Sequence, residues 1–93
     1  METANINEGR VLIDFYANWC GPCKVMKPQI KKFEEENTGV NVVMVNVEEN
    51  FELASKFNVR NIPTLVYMED GEVIKRDSGA KNLQQLKEFT NVG

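Results

Sequence analysis

Residues 10–16, Arg-Val-Leu-Ile-Asp-Phe-Tyr, set the strongest constraint on what this chain folds into. The apolar residues in this run do not alternate with polar ones, so as a strand it has to be covered on both faces. Such a strand belongs inside a sheet with layers on either side. Trp19-Cys20-Gly21-Pro22-Cys23 comes just after it, followed by a helical pattern from Lys24 to Asn37. Gly21-Pro22 opens that helix, since a proline in the first turn gives up an N–H that had no helical partner anyway. The only two cysteines of the chain therefore lie where a buried strand turns into a helix. Their spacing lets the two thiols close a disulfide, and leaves metal binding, a structural bridge and redox chemistry as readings.

The rest of the chain supplies the layers. Met26, Ile30 and Phe33 recur at helical spacing and are expected to face the core. Pro28 sits inside the helix and is expected to kink it, and Asn37-Thr38-Gly39 stops it. Val40 to Val47 reads as a second apolar strand. Glu49 to Asn58 reads as a short helix burying some of Phe51, Leu53, Ala54 and Phe57. Ile62-Pro63-Thr64 leads into a third strand, Leu65 to Met68. Glu69-Asp70-Gly71-Glu72 is a hairpin turn, with Asp-Gly its strongest local signal. Val73 to Asp77 is a fourth strand. Asn82 to Asn91 is a closing helix that buries Leu83, Leu86 and either Phe89 or Thr90. The order is β-α-β-α-β-β-α: an α/β fold with a mixed four-stranded sheet, a parallel first crossover, a final antiparallel hairpin and helices on both faces.

Size and charge narrow the function classes. Ninety-three residues make one domain, 1–93, with a core of modest size. A net charge of −3 with no basic stripe argues against nucleic acid as the main partner. No run of about 18 apolar residues is present, so no membrane span is expected. The first nine residues are polar and lack the apolar core of a signal peptide. Read as a complete chain, this points to the cytoplasm, where thiols stay largely reduced and a purely structural disulfide is disfavoured. A zinc site needs four ligands, and with no histidine and no third cysteine a metal is left only to sharing between chains or with carboxylates. No metal and no cofactor is implied within one chain.

Asp14 is the second chemical clue. A carboxylate in a buried strand is costly without a partner. Desolvation raises its pKa, which suits a proton acceptor near neutrality. The alternative is a strand-end carboxylate that reaches solvent or a lysine. Pro63, read on its own, is an ordinary trans proline at a strand start.

Trp-Cys-Gly-Pro-Cys-Lys after an Asp-Phe-Tyr-Ala strand, with Ile-Pro-Thr about forty residues later, closely resembles the thioredoxins. Asp70-Gly71 and Ser78-Gly79-Ala80 fall where that family has its hairpin turn and its last substrate-facing loop. The resemblance runs from about Gly9 to Phe89. It departs from the pattern in two places. Thioredoxins usually begin with an extra strand and helix, for which too few residues precede Arg10; Glu2 to Ile6 would form a helical stub at most. Val40–Val47 would then be an open edge, a pairing liability. Many thioredoxins also carry a lysine where this chain has Met44, and its loss is expected to raise the pKa of Asp14 further.

The resemblance implies a protein-disulfide reductase working by dithiol–disulfide exchange. In it Cys20, at the helix N-terminus where a thiolate is favoured, is the exposed attacker. Cys23, one turn deeper, resolves the mixed disulfide, and Asp14 accepts its proton. The same resemblance makes the Ile62–Pro63 bond cis. It gathers Trp19, Gly21, Pro22, Ile62, Pro63, Gly79 and Ala80 into a flat docking face around Cys20, where target segments add as an extended strand. Glu48 matches a carboxylate that holds the tryptophan indole; the plain alternative is a surface charge. Pro28 is read as structural, and Lys24 and Lys27 as exposed charges close enough to act weakly on a thiolate. Implied partners are disulfide-containing proteins and a thioredoxin reductase using NADPH and flavin. The expected state is a monomer, with self-association through the open edge as its competitor. Two other functions remain: a thiol oxidant or isomerase, against which Gly-Pro between the cysteines argues, and a binding subunit of a larger enzyme, against which the Cys20, Cys23 and Asp14 set argues.

Overall fold

Four strands and three helices follow in the expected order: β1 (Arg10–Tyr16), α1 (Gly21–Glu35), β2 (Asn41–Asn46), α2 (Phe51–Lys56), β3 (Thr64–Glu69), β4 (Glu72–Ser78) and α3 (Leu83–Thr90). They come from a computed structural model that describes residues 6–36 and 38–91. The helix expected to reach Asn37 ends at Glu35, with Glu36 as its cap, and Asn37 lies outside the described residues. So does most of the expected stub at Glu2–Ile6. Ile6, the first described residue, packs against the core.

The sheet order is β2-β1-β3-β4. β1 pairs with β2 in parallel and with β3 antiparallel, and β3 pairs antiparallel with β4. The two central strands, β1 and β3, are the two most fully buried, as cover on both faces requires. Residues 11–15 of β1 and 64–68 of β3 are all buried, whereas every residue of β4 is exposed. Odd-numbered β1 residues, Val11, Ile13 and Phe15, join Val43, Val45 and Ala54 under α2. On the opposite face Leu12 packs with Met26, Ile30 and Phe33 of α1 and Leu86 of α3. Helices thus cover both faces. Among the described residues nothing pairs with the outer edge of β2, and no helix is long and apolar enough to cross a membrane.

Local chemistry sets the boundaries. Asp70 and Gly71 both take positive φ, +50° and +86°, as the tight turn between β3 and β4 demands. α2 is shorter than its pattern suggested. The Asn50 side chain caps it by accepting from Leu53 N at 3.3 Å, and Asn58, in the left-handed region at φ +57°, ends the run. Ala54 is its buried residue and Leu53 and Phe57 pack partly on the core, but Phe51 stands 73 % exposed because it occupies the first turn, beyond the sheet. In α3 Thr90 is fully buried and Phe89 partly so. Asn82 and Gln85 form a capping box at its start.

Candidate active site

The strand-to-helix junction places the cysteines. β1 ends at Tyr16, a short turn follows in which Cys20 N donates to Ala17 O at 3.2 Å, and Cys20 becomes the N-cap of α1. Its sulfur accepts from Cys23 N at 3.2 Å. Cys20 and Cys23 are bonded to each other, with their Cα atoms 5.2 Å apart. One expectation is corrected here: Cys20 is not exposed. Both cysteines pack with Ala17 beside Tyr16, Val47 and Ile62, leaving Cys20 4 % exposed.

The surrounding loops converge on this pair. The Ile62–Pro63 bond is cis. Pro63 is fully buried, Ile62 half-buried. Gly79 N donates to Pro63 O at 2.9 Å, which ties the loop after β4 to the proline. Gly79 adopts φ +100°, a conformation that favours glycine. Trp19, 65 % exposed, holds its indole in place by donating from Nε1 to Glu48 Oε2 at 2.7 Å. Of the two readings of Glu48, the indole partner is therefore the one observed. Gly21, Pro22, Gly79 and Ala80 are exposed.

Two clefts border the site. One, about 860 Å³, runs from Trp19 and Ile62 past Val47, Phe51, Ala54 and Val59. Its role was not legible in the sequence beyond Trp19 and Ile62. Phe51 could only have been singled out as an aromatic residue at the start of a helix with little else to cover it. The other cleft, about 350 Å³, is lined by Asp14, Cys23 and Met44 among others. Asp14 is 1 % exposed, and its Oδ1 has no hydrogen-bond partner. Its neighbours across the sheet are Met44 on β2 and Leu65 on β3, neither of them charged. Burial therefore pushes the carboxyl up to about 7 from an ordinary value of 3.8. The solvent-reaching alternative for Asp14 does not hold.

A disulfide-linked cysteine pair at the start of a helix, sharing a cleft with a buried carboxyl, defines a thiol–disulfide oxidoreductase. The sequence model of the thioredoxin family matches residues 2–92. The chain belongs to the thioredoxin family. It is 41 % identical to the thioredoxin of Bacillus subtilis (strain 168) over 90 residues, covering 96 % of this chain and 86 % of that one. With the thioredoxin of Listeria monocytogenes it shares 40 % identity over 86 residues, 91 % of this chain and 84 % of the other. Among solved structures, a mutant thioredoxin from Halobacterium salinarum NRC-1 superposes with a TM-score of 0.84 at 37 % identity, covering 95 % of this chain and 80 % of that one. Oxidized mitochondrial thioredoxin 3 from Saccharomyces cerevisiae gives 0.83 at 33 % identity, covering 94 % and 82 %. Disulfide-containing substrates and a reductase partner follow for the family in general.

Proposed function

We propose that this chain is a single-domain, monomeric, cytoplasmic carrier of reducing equivalents that reduces protein disulfides. We assign Cys20 as nucleophile, Cys23 as resolving thiol and Asp14 as proton acceptor. In the reduced protein Cys20 is a thiolate, stabilised by the unpaired N–H groups at the start of α1. Its sulfur attacks one sulfur of a target disulfide. The target S–S bond breaks, one target sulfur leaves as a thiolate, and a Cys20–target mixed disulfide remains. Cys23 then passes its S–H proton to the Asp14 carboxylate, and its thiolate attacks Cys20 Sγ. The mixed disulfide breaks, the second target sulfur leaves and is protonated by solvent, and Cys20–Cys23 closes. Two electrons have moved to the target. Asp14 gives its proton to water entering the smaller cleft. A flavin- and NADPH-dependent thioredoxin reductase returns the pair to the dithiol.

The observation that carries this reading is the buried, unpartnered Asp14 sharing one cleft with Cys23. A carboxyl titrating near neutrality both takes and returns a proton at physiological pH. Targets dock as extended segments against Trp19, Gly21, Pro22, Ile62, Pro63, Gly79 and Ala80, with the Phe51 cleft receiving an apolar side chain beside the target cysteine. Reduction of insulin disulfides tests the assignment, with dithiothreitol and then with NADPH and a thioredoxin reductase as electron source. Turnover with both is expected. No acceleration with dithiothreitol removes the reductase reading, and turnover with dithiothreitol alone removes the proposed electron donor.

A further inference from the structure

The sheet offers Asp14 no counter-charge. Met44 flanks it on β2 and Leu65 on β3, both uncharged. One strand further, Asp77 of β4 pairs across from Leu65 and is held by Lys81 at 2.7 Å. Two lysines of α1 nevertheless line the cleft. Its lining includes Asp14, Tyr16, Cys23, Lys24, Lys27 and Met44. Tyr16 is the other titratable group of β1 there, and Cys23 is held in the disulfide. Lys24 and Lys27 are therefore the only charged side chains among the described residues that line the cleft with Asp14.

The two lysines are not equivalent. A helical side chain leans toward the N-terminus of its helix and covers the turn before its own Cα. Lys27 follows Cys23 by four residues, so its stem runs back over the Cys23 turn, toward Asp14. Lys24 leans back over Cys20 and Gly21 instead. Both are exposed, and a lysine stem lies readily along apolar surface with its ammonium free to move. Met44, 40 % exposed at the cleft, supplies such a surface.

We propose that Lys27 is a positioning residue for the proton step: its ammonium enters the cleft from α1 and serves as the counter-charge to the Asp14 carboxylate that Met44 does not provide. The cation stabilises the ionised acceptor before Cys23 gives up its proton, and withdraws once Asp14 is neutral. The proposal rests on Asp14 being the proton acceptor.

The test is the titration of the Asp14 carboxyl carbon by NMR in the oxidised full-length chain. Lys27→Met is expected to raise the midpoint by about 0.5–1 unit, and Lys27→Arg to restore it. Lys24→Met, the same change in net charge, is expected to move it less than half as far. The pH profile of mixed-disulfide resolution shifts upward with the midpoint in Lys27→Met. An unmoved midpoint in Lys27→Met, or equal shifts from the two lysines, overturns the proposal. Failure of the Asp14 reading is seen separately: resolution unimpaired in Asp14→Asn removes the proton acceptor, while the titration still reports whether Lys27 senses Asp14.

Discussion

Asp14 and Tyr67 lie on the same face of the sheet, on neighbouring rungs of the β1–β3 pair, with the Tyr67 hydroxyl reaching Arg10 at one end and Asp14 lying toward the other, and the two ends treat a buried polar group in opposite ways. Tyr67 is 0 % exposed and fully partnered. Arg10 Nε donates to its hydroxyl at 2.6 Å, and the hydroxyl donates to Glu69 Oε2 at 2.8 Å. Arg10 also donates to Thr90 O at 2.7 Å, closing the end of α3 onto the sheet. Asp14 is as deeply buried, yet has an oxygen with nothing to bond and uncharged neighbours on both adjoining strands. Buried polar groups are ordinarily satisfied. The satisfied part of this face ties strand to strand and to α3, while the unsatisfied part leaves a carboxyl titrating near neutrality in one cleft with Cys23.

The largest effect is at the disulfide itself. Cys20→Ser has no thiolate to attack with, so insulin reduction is expected to fall to the uncatalysed background. Cys23→Ser is expected to leave the first attack in place and accumulate a trapped mixed disulfide, visible by mass spectrometry. Equal loss of both steps in the two variants would break the ordered roles given to the pair.

Asp14 comes next, with a catalytic and a thermodynamic signature. Asp14→Asn is expected to slow mixed-disulfide resolution by about 10²-fold, read by stopped-flow with a preformed mixed disulfide. Its stability signature has a definite sign. The native carboxyl titrates at about 7 and the unfolded one near 3.8. Below pH 4 both states hold the proton and the contribution is complete. Between about pH 4 and 7 the unfolded chain releases it first, so stability falls as pH rises, and above 7 the loss is complete. At 1.36 kcal/mol per unit this amounts to about 4 kcal/mol. Urea unfolding of the oxidised protein should therefore show Asp14→Asn gaining on the wild type from pH 4 to pH 8 by about that amount. A variant less stable than the wild type at pH 8 would mean that Asp14 is satisfied after all.

The contrast between the two ends also marks what the sequence can reveal. Element order, the buried β1 strand, the Asp-Gly turn and the cysteines at the helix start are local patterns, and these were legible. Asp14 stood out because one carboxylate interrupts an apolar run, and the family pattern made the Ile62–Pro63 bond cis. The Arg10–Tyr67–Thr90 network was not legible. Its partners are separated by 57 and 80 residues, and a tyrosine in a strand looks the same whether its hydroxyl meets a partner or water. The burial of Cys20 is not a local property: it comes from Val47 and Ile62, which reach the cysteines from distant segments. The Phe51 cleft likewise forms only when α2 is set against the Trp19 turn.

Tyr67→Phe sharpens the comparison from its satisfied side. Removing the hydroxyl leaves Arg10 Nε and Glu69 without their shared partner, at a cost of about 1–2 kcal/mol. The disulfide potential and insulin turnover should stay unchanged, because neither Tyr67 nor its partners Arg10 and Glu69 line the cleft that holds Asp14 and Cys23. A stability loss from Tyr67→Phe as pH-dependent as the Asp14 effect would erase the distinction between a structural and a chemical end.

The smallest effect is expected at Glu48. Its carboxylate accepts the Trp19 indole N–H at 2.7 Å, but in an exposed setting. Water replaces a lost surface partner at little cost, so Glu48→Ala should change stability by no more than about 0.5 kcal/mol. Trp19 is the only tryptophan in the chain, so its fluorescence reports directly on the freed indole. KM for insulin should rise modestly while kcat holds, because the docking face loosens and the thiol chemistry is untouched. A fall in kcat with KM unchanged would instead place the indole in the exchange step and extend the chemical end of the molecule beyond Asp14.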